Sequence, residues 1–521
     1  MAGVQLDLKM SPPRCFAFVF PMASGHINPS LPIARSLVEL GHEVHYLCVE
    51  QMRGAVEDTG AVFHSVIEEE PELYDSHEAD LLGANESLKR ALGLRPGSVT
   101  DWYMVKNIML EMQLPGILRF FQRIAPSAVV YCPLLNREAA AAALVLGIPA
   151  VALQTTAGPG SILQFFEYTA EMEHTTVDEW DARLRSYEPH VAATQRLNER
   201  YGLHLEPGLL RPIGRLDGVA MASKLLVTTS EDLKDPAPPE LERAMEDIDG
   251  TKVIAVGPLL DRPGAKRAGG HRTNAGSGEA EMQAGDHGCE VLARVRAARQ
   301  EGRPAVLVSM GTVITGDHPK FGWAGRERAP DGRPCGLTGR ELCRAAWRGA
   351  FDACGEGADR GPLIVLALGP QPEPLEGLSV PPNAACAPVV PQVDILKAGV
   401  EAFVTHGGQN SFTEALAHST PVVVCPGAGD QVVNGQKAEN LGVGLCVPRP
   451  EPIPGTEAQA SESYRTAVRC ALQRVRTEAS FALAAAACAG RLERAGGVAR
   501  AVEEVLSMVL PGAPLAAAAG A

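Results

Sequence analysis

Residues 400–414 read Val-Glu-Ala-Phe-Val-Thr-His-Gly-Gly-Gln-Asn-Ser-Phe-Thr-Glu. An apolar run of strand length, 400–405, meets His406-Gly407-Gly408. A helix is expected to open at Asn410-Ser411, with Glu414 one turn further on. A second apolar run, 421–425, ends in a glycine-rich turn that carries Asp430-Gln431. Strand, glycine turn, helix start is the feature that most restricts what this chain can become. The first turn of such a helix leaves backbone N–H groups unpaired, its dipole favours an anion, and glycines let a ligand approach the backbone. Polar side chains at the ends of two successive strands are placed to hold the rest of a bound molecule.

The same alternation runs along the chain. Residues 16–20 read as a strand, 21–25 as a loop, 27–40 as a helix ending at Gly41, and 44–49 as the next strand. That order predicts a parallel sheet with a right-handed crossover. Strands at 129–131, 150–153, 225–229 and 253–256 continue the series, with a helix at 137–146. Residues 261–288, rich in Gly, Ala, Arg and Asp without periodicity, read as a flexible linker or surface insertion. A second series follows, with strands at 305–309, 364–368, 401–405 and 421–425. Residues 316–340 read as a long loop before a helix at 341–354, and 467–506 as Ala-rich helix. The fold class expected is therefore α/β: two Rossmann-like, doubly wound domains facing one another across a cleft.

Length and charge limit the function. A chain of 521 residues accommodates two or three domains. Its 47 Lys and Arg against 62 Asp and Glu leave a formal charge of −15, which argues against nucleic acid or an anionic membrane as the main partner. The 12 cysteines show no CxxC pair and no zinc spacing, so a reducing, cytoplasmic setting is expected. No signal peptide and no membrane span is expected, because no apolar window of about 20 residues occurs. Asp247-Ile248-Asp249 forms a DxD tripeptide, yet its position before a strand and beside Gly250 reads as a turn, and no metal site is expected.

The C-terminal pattern also carries a resemblance. Pro391-Gln392, Ile395-Leu396, Gly399, Phe403, Thr405-His406-Gly407-Gly408, Asn410-Ser411, Glu414, Pro421, Pro426 and Asp430-Gln431 stand in register. They resemble the donor-binding signature of the UDP-dependent glycosyltransferases, inverting enzymes of GT-B fold. Residues 21–41, 253–260 and 306–313 look like the family's first loop, interdomain segment and second glycine loop. The stretches 70–125, 165–215, 262–300 and 315–360 fall outside the likeness. Val389 and Gln409 stand where plant members often carry Trp, so the chain is closer to microbial, macrolide-type members. Valine at 389 also loosens the expected contact to the base, which leaves a thymidine-linked donor open.

The resemblance implies an acceptor-binding domain over 1–240, an interdomain segment and linker over 241–302, and a nucleotide-sugar domain over 303–470. Residues 471–521 would follow as a C-terminal helix returning to the first domain, and a tail. It implies a hexose moved from a UDP-sugar to a hydroxyl of a small lipophilic acceptor, without a cofactor. His26, in Gly25-His26-Ile27-Asn28-Pro29, is the expected catalytic base, kept neutral by the mouth of the first helix. Ser309, Gly311 and Thr312 are expected at the diphosphate or the transferring sugar, and His406, Gly408, Asn410 and Ser411 at the diphosphate. Gln392 is expected at the base, Asp430 and Gln431 at the sugar hydroxyls, and Glu414 at the ribose. Ser411 and Glu414 also fit a capping box, a competing local explanation.

One position departs from the pattern. Where many relatives place an Asp that orients the histidine, this chain has Cys132. Three consequences stay open at this level: another carboxylate serves, the acceptor is acidic enough to need little help, or the activity is weak. The alternatives to a transferase are a catalytically weak nucleotide-sugar-binding protein and a nucleotide-sugar epimerase of the same fold. Residues 101–124, rich in Met and aromatic residues, read either as core helix or as the wall of a lipophilic acceptor pocket. Oligomeric state is not readable from the sequence.

Overall fold

The computed structural model describes residues 12–74, 80–246, 252–269, 278–318, 320–328, 334–355 and 361–509. The chain divides into two compact units. Unit 1 takes residues up to 261, 265–268 and those from 495 on; unit 2 takes 262–264 and 269–494. Asp247 to Asp249, the DxD tripeptide, lies outside the described residues.

Unit 1 is built on seven strands: β1 (Cys15–Val19), β2 (Glu43–Cys48), β3 (Val62–Ser65), β4 (Ala128–Tyr131), β5 (Ala150–Gln154), β6 (Lys224–Val227) and β7 (Lys252–Ala255). Their order is β3-β2-β1-β4-β5-β6-β7, with every neighbouring pair parallel. β4 and β5 are buried at every position, which is why they read as apolar runs rather than alternating ones. The order reverses between β1 and β4, and the carboxyl ends of strands at such a switch point are where open α/β sheets bind ligands.

Unit 2 repeats the plan. β8 (Ala305–Ser309) is followed by a two-residue hairpin, β9 (Glu327–Arg328) with β10 (Pro334–Cys335). Then come β11 (Leu363–Ala367), β12 (Ala384–Ala387), β13 (Ala402–Thr405), β14 (Val422–Val424) and β15 (Gly444–Cys446). The main sheet runs β12-β11-β8-β13-β14-β15, all parallel, and reverses between β8 and β13. Trp347 is fully buried in this unit, as Trp180 is in unit 1.

Four expectations are corrected. Residues 27–40 are not one helix: a single turn, Ser24–Ile27, is followed by Leu31–Glu39. Asn28 keeps helical dihedrals, but Pro29 has no N–H to donate, so the ladder lapses there and restarts after Ser30. Residues 261–288 are not linker throughout, because a helix runs Gly278–Gln300; its Glu-, Ala- and Arg-rich sequence favours helix, and Val291, Val295 and Ala298 form its buried stripe. Upstream of it, Asn28 and Ala268 exchange two hydrogen bonds, Nδ2–H to O at 3.3 Å and N–H to Oδ1 at 2.8 Å. The helix expected from 341 begins at Gly339, set by a capping box of Thr338 and Glu341. The helix expected at Asn410-Ser411 starts at Gln409.

The last helix, Gly497–Ser507, belongs to unit 1. It packs on Leu31–Glu39, its first amide donates to Val256 O at 2.6 Å, and Lys224 pairs with Glu504. No helix among the described residues is long and apolar enough to cross a membrane.

Candidate functional site

In unit 1 the loop after β1 carries His26 to the switch point. The side chains waiting there come from the next two strands of the sheet. Cys132 directly follows β4, and its Sγ lies 3.3 Å from His26 Nδ1; Thr155 directly follows β5, and its Oγ1 lies 3.2 Å from the same nitrogen. Both neighbours are neutral. Burial pushes the Cys132 thiol up to about 12, so it stays protonated. Burial also pushes the His26 imidazole down to about 4. The expected cause, a helix N-terminus, is corrected here: His26 lies inside a one-turn helix, and loss of water keeps it uncharged.

Thr155 was missed in the sequence. The one signal for it is register, since Val129–Tyr131 pairs with Ala150–Ala152 and so brings the residues after both strands to one edge.

In unit 2 the loops after β8 and β13 meet at the second switch point. His406 donates its backbone N–H to Ser309 O at 3.2 Å. Its ring is held between two glycines. A Cβ on Gly311, whose φ is +79°, would stand 2.6 Å from the ring's Cγ, and one on Gly408 would stand 2.5 Å from Nε2. No other residue type fits either position without displacing the imidazole. Burial drives this imidazole down to about 4 as well. Its Nδ1 is buried without a partner among the described residues. Thr312 opens the short helix Thr312–Thr315.

The helix Gln409–Ala417 has Gly408 as its N-cap and no side-chain cap from its own sequence. The capping box of Ser411 and Glu414 does not form. Ser411 sits inside the first turn, and Glu414, 4% exposed, accepts instead from Gln392 Nε2 at 2.7 Å. Gln392 also donates to Ser411 Oγ at 3.1 Å. The helix end is closed from elsewhere: Asp430 Oδ2 accepts the Gln409 N–H at 3.1 Å. Gln431 Oε1 accepts from Gly427 N–H at 2.8 Å, and Asn434, not anticipated from the sequence, donates to Gly407 O at 2.8 Å. Ser309, Gly311, Thr312, His406, Gly408, Asn410, Ser411, Glu414, Gln392, Asp430 and Gln431 thus lie on the loops and helix starts at the carboxyl ends of β8, β12, β13 and β14. Val389, by contrast, is 55% exposed.

A separate group at the amino ends of β1 and β2, Cys15, Glu43 and His45, brings ligating atoms within 4.8 Å of one another. It lies at the opposite end of those strands from His26.

Two parallel α/β sheets, each with its loops gathered at a switch point, define the GT-B fold. The model for the C-terminal domain of erythromycin biosynthesis protein CIII-like proteins matches residues 361–492. The chain is 23% identical to the NDP-glycosyltransferase YjiC of Bacillus licheniformis over 94% of its own length and 96% of that protein's. It is 35% identical to the uncharacterized UDP-glucosyltransferase YojK of Bacillus subtilis over 146 residues, 28% of this chain and 33% of that relative. The crystal structure of the kitacinnamycin glycosyltransferase superposes with a TM-score of 0.61 at 20% identity, covering 96% of this chain and all of that one. The chain is thus similar to microbial UDP-glycosyltransferases, and its fold is that of the GT-B enzymes.

Proposed function

We propose that this protein is an inverting glycosyltransferase that moves a hexose from a UDP-sugar to a hydroxyl of a small acceptor with a lipophilic body. The observation that carries this reading is the His406 ring locked between Gly311 and Gly408 at a helix start, the end of a helix that favours an anion. The diphosphate lies against Gly311, Thr312, His406, Asn410 and Ser411. The Glu414 carboxylate, already oriented by Gln392, takes the ribose hydroxyls. Asp430 and Gln431 take sugar hydroxyls; Asp430 then shares its carboxylate between the ligand and the Gln409 amide.

In unit 1, His26 is the base. The tautomer with hydrogen on Nδ1, donating to Thr155 Oγ1, leaves Nε2 free to accept the proton of the acceptor hydroxyl. That oxygen bonds to the anomeric carbon as the bond from the anomeric carbon to the diphosphate oxygen breaks. The diphosphate departs with the electron pair, stabilised by the helix amides. No metal enters this reading.

A second reading has one observation in its favour. No carboxylate among the described residues meets His26 Nδ1, only a thiol and a hydroxyl, which suits a nucleotide-sugar-binding protein of weak activity.

The test is a panel of sugar nucleotides scored by thermal stabilisation, then by turnover with phenolic acceptors. A UDP-sugar at a hundred times its Kd should add about 2.7 kcal/mol to stability. Glu414→Ala should abolish most of that gain while the ligand-free protein melts near the wild-type temperature. A panel without any stabilising nucleotide rejects the proposal. Binding without turnover selects the second reading.

A further inference from the structure

Unit 1 contains a cavity of about 60 Å³ with an unusual lining. Trp102, Tyr103 and Phe166 give it aromatic walls, and three cations, Lys106, Arg137 and Arg215, reach it together with Asp217 and Glu138. Lys106 Nζ and Arg137 Nη1 both bond Asp217 Oδ2 at 2.9 Å, so one carboxylate stands between two cations. Burial tends to raise the Asp217 carboxyl, but the two cations overcome this and hold it below the usual range, ionised. The pair of cations is still left with one positive charge in excess. Arg215 adds another. Its Nη1 donates to Arg211 O at 2.8 Å, while its Nε is buried with no partner among the described residues. Burial raises the Glu138 carboxyl, which limits the negative charge it can set against these cations.

Two cations sharing one carboxylate and a buried N–H donor without a partner among the described residues both favour an anion in the cavity. That volume exceeds what a single water needs and admits a carboxylate with the start of the apolar body that carries it. The cavity also adjoins the reacting edge of the sheet. Pro133 and Leu134, in its wall, follow directly on Cys132, whose thiol touches His26.

We infer that this cavity anchors an acceptor through a carboxylate, held by Arg215 Nε and the Lys106–Arg137 pair, with the aromatic walls against its apolar body. The inference rests on the transferase reading given above and narrows its acceptor to small aromatic or apolar acids that also carry a hydroxyl.

The paired probes are 4-hydroxyphenylacetic acid and its methyl ester, which lacks the charge and carries one more methyl group. Binding is measured by calorimetry on the full chain, and kcat/KM with UDP-glucose or whichever sugar nucleotide binds. The wild type should bind the acid at least tenfold more tightly than the ester, and Arg215→Gln should bring that ratio close to one. Arg215 is the residue to change because Lys106 and Arg137 also neutralise buried Asp217, and losing either threatens the fold. Equal or weaker binding of the acid by the wild type, or no acid binding at all, overturns the inference. So does a tenfold preference that survives in Arg215→Gln. The wild-type pair decides the matter alone if the variant fails to fold. Turnover of the ester without preference for the acid sinks only this inference. Absence of nucleotide binding sinks the transferase reading instead.

Discussion

Nδ1 of His26 faces a thiol and a hydroxyl where the family pattern has a carboxylate. A carboxylate stabilises the imidazolium formed on proton transfer, and in catalytic triads that contribution spans orders of magnitude. Cys132→Asp should therefore raise kcat about tenfold or more. It should also move the acid limb of the kcat/KM profile. A base must be unprotonated to act, and burial places His26 at about 4, so wild-type activity should fall only as pH drops through that value. A carboxylate beside Nδ1 favours the cation and lifts the limb to higher pH. A pH–rate profile of both proteins checks this, and an unmoved limb means that His26 is not the base. His26→Ala should cost at least about 100-fold in kcat, within the range of lost general-base catalysis. The position of Cys132 was legible because it directly follows an apolar strand, β4. Thr155 was not, because 129 residues separate it from His26 and only strand register unites them.

At the scale of elements, the loop after β8, the loop after β13 and the helix Gln409–Ala417 form one device. Adding a methyl group at Gly311 forces both a strained φ and a contact 2.6 Å from the His406 ring. Gly311→Ala should destabilise the protein by about 1–3 kcal/mol through strain and overpacking. Urea unfolding with and without sugar nucleotide measures this, and nucleotide affinity should fall with stability. Wild-type stability together with wild-type affinity would show that the ring moves freely. The sequence could not place this helix start correctly. Ser411 and Glu414 have capping-box spacing, which suggests a cap at 411. The actual cap is Gly408, and the carboxylate that closes the first amide comes from Asp430 in another loop. Local spacing cannot reveal a partner supplied by a neighbouring strand's loop.

At the scale of the whole chain, residues from 495 on return to unit 1 after the entire second unit has been built. Ala501, Val502, Val505 and Leu506 are buried in the unit 1 core, and Lys224 is paired with Glu504. Ending the chain at Arg494 removes these side chains together. It should destabilise unit 1 by more than about 3 kcal/mol, the scale of a single large core truncation. Differential scanning calorimetry should then show unit 1 melting earlier than unit 2. A single unchanged transition would refute this role for the last helix.

Some of this protein was written locally in its residues. Continuous apolar runs such as 128–131 and 402–405 specify buried parallel strands, because their burial on both faces leaves no room for alternation. Glycine turns between such strands and the next helices mark the switch-point loops, because steric freedom is a property of the residue itself. What only the tertiary structure decided is which groups meet: Thr155 with His26, Gln392 with Glu414, Asp430 with the Gln409 amide, and Lys106 and Arg137 with Asp217. Each of those contacts joins residues at least 21 apart, and the one beside His26 spans 129. Their partners are chosen by strand order and register. Those in turn depend on how whole sheets bury their faces, and no window of sequence contains that information.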